Sequence, residues 1–266
     1  MFAVIAGLLA WRGSDIWRAN AAWSRLAGTA GNTAGVFDPA MVAGLPEPAR
    51  RYFSFSIRPG ARLRAVAVLE MTGEIGLGSK ASPNYRPMTA RQILAPPAGL
   101  VWRLLSGAIS GSDAALPDTS WTRFWLLHLV PIVRVSGAAD HHRSAFGRVV
   151  SEAAFWTPAA LLPSDHVSWE ELGPDAARAT LTHGDFAQSV EITVNDDGAP
   201  VEVVIDRWSD VNPDNVFRRQ PFGGTLSNYR EFDGIRVPTR VEGGNHFGTD
   251  DYFPFYKATV TSLRFL

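Results

Sequence analysis

The sequence predicts an α+β fold: a large curved antiparallel β-sheet, a half-barrel, wrapped around one or two apolar helices, with an N-terminal helical segment. Three observations carry this expectation. The last hundred residues alternate strand-like runs with turn dipeptides, and Asp233-Gly234 between two alternating runs is a strong hairpin signal. Apolar helix-like stretches fall in the middle of the chain, so the order is helix, strands, helices, strands. Neither a phosphate-binding loop ending in Gly-Lys-Ser/Thr nor a glycine-rich strand-to-helix fingerprint is present, and hairpins build antiparallel sheets rather than doubly wound nucleotide folds.

Phe2 to Trp11 is an unbroken apolar run. It is too short to cross about 30 Å of hydrocarbon, which takes roughly 20 residues. No Lys or Arg precedes it, so it lacks the basic start of a secretory signal. Three readings stay open. It is the tail of a membrane helix begun upstream, an interfacial anchor with Trp11, Trp17 and Trp23 at headgroup level, or a helix packed on the domain. Under the first, Arg12, Arg18 and Arg25 favour a cytoplasmic domain, although residues upstream would decide the side. Ser14 to Ala27 reads as a helix capped by Ser14 or Asp15, and Gly28 to Gly35 as a linker of small residues. The chain therefore divides into an anchor segment with its linker, 1–35, and one β-rich domain, 36–266.

Asp38 to Phe55 reads as helical with a break at Pro46, and Asp38-Pro39 pairs a cap with a first-turn proline. From Arg62 the period changes to two, with Leu63, Ala65, Ala67, Leu69 and Met71 on one face. Strands follow over Arg86 to Leu94 and Leu100 to Leu105, parted by Pro96-Pro97. Trp121 to Val135 is strongly apolar and reads as a buried helix ending near Pro131. Ala139 to Leu162 reads as a second helix, with Asp140 as its cap. Six strands between Ala177 and Phe265 complete the meander.

Composition narrows the function. The chain is 46% hydrophobic, enough for a sizeable core. Lys and Arg number 25 against 26 Asp and Glu, so the surplus of positive charge that a general nucleic-acid binder needs is missing. With no cysteine, thiol nucleophiles, disulfides, Cys-ligated zinc and iron–sulfur clusters are excluded. Zinc-protease, nucleophile-elbow and EF-hand motifs are also missing.

Four constellations remain. Asp140-His141-His142 offers adjacent histidines, which point about 100° apart on a helix and suit a helix start better than one metal. Arg148 and Glu152 are spaced i, i+4 among apolar neighbours, so they form either a structural lock or a ligand-binding or catalytic pair. His183, and His246 with Asp250 and Asp251, fall in turn sequences. The latter three could hold a divalent cation, yet a polar hairpin loop accounts for them. Finally, aromatics including Trp102, Trp156, Trp169 and Tyr229 serve as core, as the lining of a concave pocket, or as both. No cofactor or metal is called for.

Several segments together resemble an uncharacterised bacterial domain-of-unknown-function family: Gly44-Leu45-Pro46-Glu47-Pro48-Ala49-Arg50-Arg51-Tyr52, Tyr85 to Gln92, Pro96 to Trp102, Gly234 to Thr239 and, most specifically, Arg148 to Leu162. The resemblance runs from about residue 36 to the end. It implies a fold similar to the lipoprotein-carrier half-barrel, with membrane-spanning helices before the domain, and no agreed activity. Tyr85 departs from it, standing where members tend to have Trp. Ser110 to Val135 is also more apolar than the resemblance implies.

The leading expectation is a membrane-associated protein of the cell envelope, tethered through its N-terminal segment, that binds a lipid or acyl chain in the concavity. Arg148, oriented by Glu152, is the expected polar anchor, with Trp102, Trp156, Trp169 and Tyr229 around the ligand. One alternative is a hydrolase, isomerase or cyclase that uses Glu152 as acid or base and Arg148 as charge stabiliser. Another is a structural module without a ligand. Membrane side and oligomeric state stay open.

Overall fold

A computed structural model describes residues 2–32 and 35–266. Helix α1 spans Phe2–Ala27, a 3-10 turn Pro39–Val42 follows, and α2 spans Glu47–Ser56. Six strands come next: β1 Ala67–Gly76, β2 Tyr85–Ala95, β3 Gly99–Ser106, β4 Ile109–Leu116, β5 Thr119–Leu126 and β6 Val130–Ser136. Helix α3, Ala139–Trp156, leads through a 3-10 turn at Pro158–Leu161 into β7 Val167–Gly173, β8 Ala176–His183 and β9 Phe186–Val194. The chain closes with β10 Pro200–Ser209, β11 Arg218–Phe232, β12 Ile235–Asn245 and β13 Phe253–Phe265.

All thirteen strands join one antiparallel sheet in the order β6-β5-β4-β3-β2-β1-β13-β12-β11-β10-β9-β8-β7. It is two meanders laid side by side, joined where β1 pairs with β13. Strands β6 and β7 are the outer edges, and α3 connects them. A link from one edge to the other has to cross a face of the sheet. Helix α3 does so while packing on β2 to β5 of one meander and on β9, β10 and β12 of the other. The sheet thus curls around α3 as an open half-barrel, in agreement with the expected class. The native twist of a sheet this wide favours such curling over a flat plane.

The main core lies between α3 and the concave face. Phe146, Val149, Val150, Ala153 and Trp156 of α3 meet Leu69, Leu94, Leu100, Val190 and Ile205 of the sheet. The helix stops at Thr157 because the residue before Pro158 is disfavoured in helical geometry. The β11–β12 hairpin turns as its Asp-Gly pair demands. Asp233 and Gly234 both have positive φ, 53° and 85°.

A second core covers the convex face. Helix α1 is continuous, so Ser14 and Asp15 are interior residues and not a cap, a correction to the sequence reading. Asp15, Ala19, Ala22 and Leu26 form its buried stripe. The stripe packs over Val68, Ile93, Val101, Ala114 and Trp121. Asp15 is 6% exposed, and it accepts hydrogen bonds from Arg123 (3.3 Å), Arg134 and the Trp125 indole (3.1 Å). A buried carboxylate is tolerated only when paired in this way.

Trp121 to Val135 is likewise not a helix but the hairpin β5–β6, turning at Leu127 and His128 with φ of 51° and 60°. The reason lies in β5. Trp121, Arg123 and Trp125 face α1 on the convex side, while Thr122 and Phe124 face the concavity. A strand covered on both faces loses its polar alternation and reads as one apolar run. The N-cap position of α3 also differs. Ala138 occupies it without a side-chain bond, and Asp140 instead accepts from the Trp208 indole at 2.7 Å.

Candidate functional site

Four inward side chains stand in register across β2 to β5: Gln92 opposite Trp102, Trp102 opposite Asp113, and Asp113 opposite Thr122. Helix α3 brings Arg148 and Glu152, one turn apart, against this row. The Arg148 guanidinium donates from Nε to Glu152 Oε1 (2.6 Å), from Nη1 to Asp113 Oδ2 (3.1 Å) and from Nη2 to Gln92 Oε1 (3.3 Å). It also sits 5.0 Å from the centre of the Trp102 ring. Glu152 Oε2 accepts from the Gln92 amide, which closes the network.

Each of the three guanidinium nitrogens of Arg148 is therefore engaged. Burial pulls its pKa down, but Glu152 and Asp113 outweigh that, and the net shift is upward. The group is a permanent cation that ties α3 to the sheet.

Two cavities flank this network. The first, of about 220 Å³, is apolar and is walled by Trp102, Phe155, Trp156, Phe222, Leu226 and Tyr256, with Arg148 and Glu152 at one side. Part of its wall consists of glycine, where Gly224 on β11 stands opposite Gly243 on β12. The second cavity, also of about 220 Å³, is polar and includes Thr122, His141, Ser144, Ser209 and Asp210. Asp113, Arg148, Arg207 and Phe255 belong to both walls. An apolar compartment and a polar one thus meet at two arginines.

Among the described residues two buried polar atoms here lack a close hydrogen-bond partner, Trp102 Nε1 in the wall of the apolar cavity and Asp113 Oδ1 in the wall that both cavities share. Such atoms are uncommon in folded proteins and call for water or a ligand. The Tyr256 hydroxyl points at the Met71 sulfur (2.7 Å), and burial raises its pKa, with Glu152 adding to the rise. In the polar compartment His141 lies between Ser120 Oγ (2.7 Å) and Thr122 Oγ1 (3.1 Å), and burial lowers its pKa.

Of the residues expected at the site, Arg148, Glu152, Trp102 and Trp156 come together at the apolar cavity. Trp169 and Tyr229 lie elsewhere. The Trp169 indole donates to the Leu161 carbonyl (2.9 Å), and its ring packs on Tyr52 and Phe53 of α2. The Tyr229 hydroxyl bonds to the Pro200 carbonyl, and its ring meets Phe55. His246, in the β12–β13 loop, contacts the Val211 carbonyl of the β10–β11 loop. Among the described residues no group of three or more His, Asp or Glu side chains is placed to hold a metal ion.

Gln92, Asp113 and Arg207 are site residues that the sequence reading missed. A signal was present. Val203 and Ile205 are buried on β10, so strand alternation turns Arg207 inward as well. Gln92 sits between inward Ala90 and Leu94 in the same way.

The profile of a family of unknown function matches residues 35–258. The chain belongs to that family, DUF6544. The match covers the whole sheet up to the early part of β13. No curated protein matches this DUF6544 chain. Among solved structures it is similar to a domain from Vibrio parahaemolyticus assigned to outer membrane lipoprotein sorting. That match has 12% identity and a TM-score of 0.41, covering 85% of this chain and 91% of the other. A LolA superfamily protein from Nitrosomonas europaea is similar at 10% identity and a TM-score of 0.43, covering 82% and 90%.

Proposed function

We propose that the protein binds a hydrophobic ligand, a lipid or acyl chain, in the apolar cavity between α3 and the sheet. The carrying observation is the cavity itself. Protein interiors pack to crystal density, and an aromatic-lined space beside unpartnered polar atoms is the usual form of a small-molecule site. Gentle purification followed by mass spectrometry of the extracted small molecules should release a stoichiometric acyl compound that a denatured control lacks. An empty protein that also fails to bind a panel of lipids would overturn this reading. The enzymatic alternative has less support, because both Glu152 oxygens already accept bonds from Arg148 and Gln92.

The same reading places the protein at a membrane surface. No helix among the described residues is long and apolar enough to cross one. The first half of α1 nevertheless exposes Phe2, Val4, Leu9 and Trp11, and the neighbouring β5–β6 hairpin exposes Leu127, Val130, Ile132 and Val135. Arg12 bonds His128 of that hairpin at 2.8 Å, and Arg134 of β6 stacks on Trp11, so the two apolar surfaces adjoin. Patches of this kind mark interaction surfaces. In flotation with phosphatidylglycerol-containing vesicles the protein should rise with the lipid, and Phe2→Ser/Val4→Ser/Leu9→Ser should not. Equal flotation of both would remove the membrane role of this surface.

A further inference from the structure

We propose that Arg207 holds the oxyanion headgroup, a carboxylate or a phosphate, of an amphiphile whose chain lies in the apolar compartment. This rests on the ligand reading above and names the class of ligand. Four observations carry it. First, Arg207 belongs to the walls of both compartments, so a group bound to it sits where apolar lining gives way to polar lining.

Second, Arg207 is the cation that stays available. Arg148 is already ion-paired with both Glu152 and Asp113, whereas among the described residues no carboxylate lies within ion-pair distance of Arg207. Asp210 lines the polar compartment beyond that distance, and Asp206 pairs with Arg219 instead.

Third, Arg207 is oriented in advance. Its Nε donates to Ser144 Oγ of α3 (3.2 Å), and the guanidinium lies 4.7 Å from the centre of the Phe222 ring. With Nε held, the terminal nitrogens remain as the fork that matches a planar or tetrahedral oxyanion.

Fourth, the wall of the apolar cavity holds a buried donor, Trp102 Nε1, that has no full hydrogen-bond partner and only the Tyr256 hydroxyl near it. The local field agrees. Burial, and then the neighbouring Arg148, lower the Arg207 pKa to about 10 against the opposing pull of Asp113, Glu152 and Asp210, so the cation persists at neutral pH without a direct ion pair. A half-buried cation with no direct ion pair keeps its strongest contact for a ligand anion.

The test is a set of tryptophan-fluorescence titrations on the full chain with hexadecanol, palmitate and hexadecyl phosphate, and a thermal-shift titration with inorganic phosphate. The expected result is that palmitate or hexadecyl phosphate binds at least about tenfold more tightly than hexadecanol, the range of a charge-assisted hydrogen bond. Whichever of the two wins identifies the headgroup. Arg207→Gln should erase that preference, bringing the anions to the affinity of hexadecanol for the same variant, and Arg207→Lys should restore part of it.

Hexadecanol binding to the wild type as tightly as both anions would overturn the proposal and leave the ligand reading intact. Failure of all three lipids, without an effect of phosphate, would overturn both. Stabilisation by inorganic phosphate alone, lost in Arg207→Gln, would keep the oxyanion site and remove the lipid source. The wild-type comparison decides the matter even if the variants fold poorly.

Discussion

Arg148→Met should destabilise the protein by about 3–5 kcal/mol, the cost of stranding buried charges by removing one partner. Glu152 is 8% exposed and would keep only the Gln92 amide. Asp113 would lose the donor to Oδ2, and its Oδ1 already has none. At about 2–4 °C per kcal/mol for a chain of this size, the melting temperature should fall by about 10 °C. The triple variant Arg148→Met/Glu152→Gln/Asp113→Asn should recover much of the loss, because replacing a buried ionic group as a whole is often neutral. A single variant as stable as the wild type in thermal and urea unfolding would mean that the network does not tie α3 to the sheet. The same result would reopen Arg148 as a ligand-binding group.

Gly243→Leu should abolish ligand binding, by at least about a hundredfold, without loss of stability. Gly243 shares the inward face of β12 with Val241 and stands opposite Tyr256, both of which line the apolar cavity. A Cβ built there meets only the Gly223 carbonyl, at 3.4 Å, so a leucine side chain enters the empty space. Filling a cavity with apolar atoms adds contacts and leaves the fold in place. The choice of glycine matters. At Gly224 a Cβ would lie 1.9 Å from the Glu242 carbonyl, and the sheet itself would have to move. Binding of an acyl ligand by Gly243→Leu at wild-type affinity would place the ligand outside this cavity.

Much of the fold was legible because antiparallel hairpins write themselves locally. Asp233-Gly234 supplies the two positive φ angles of its turn, and the period of two over Leu63 to Met71 sends Ala67, Leu69 and Met71 to the main core and Val66 and Val68 to the second. Asp38-Pro39 opens a helical turn as read, with Asp38 Oδ1 accepting from the Ala40 amide at 2.9 Å. The reading failed where burial is two-sided. Strand β5 is covered by α1 on one face and turns to the concavity on the other, so its apolar run resembles a helix. The site was half legible. Arg148 and Glu152 announce themselves by helical spacing among apolar neighbours. Arg207 announces itself only once β10 is assigned its inward face, and Trp169 and Tyr229 show that an aromatic in a β-rich chain need not face the concavity.

By itself the sequence determined the hairpins from β8 to β13, the antiparallel class, the apolar helix α3 with its Arg148–Glu152 pair, and the lack of cysteine chemistry. Each of these depends on residues a few positions apart. Tertiary structure alone decided the pairing of β1 with β13, the crossing of α3 between the sheet edges, and the meeting of Gln92, Trp102, Asp113, Arg148 and Arg207. Those contacts join residues up to about two hundred positions apart, and no local periodicity encodes which distant strand supplies a partner. Whether an inward polar side chain is paired or left free depends on that distant partner, and it is this that distinguishes Arg148 from Arg207.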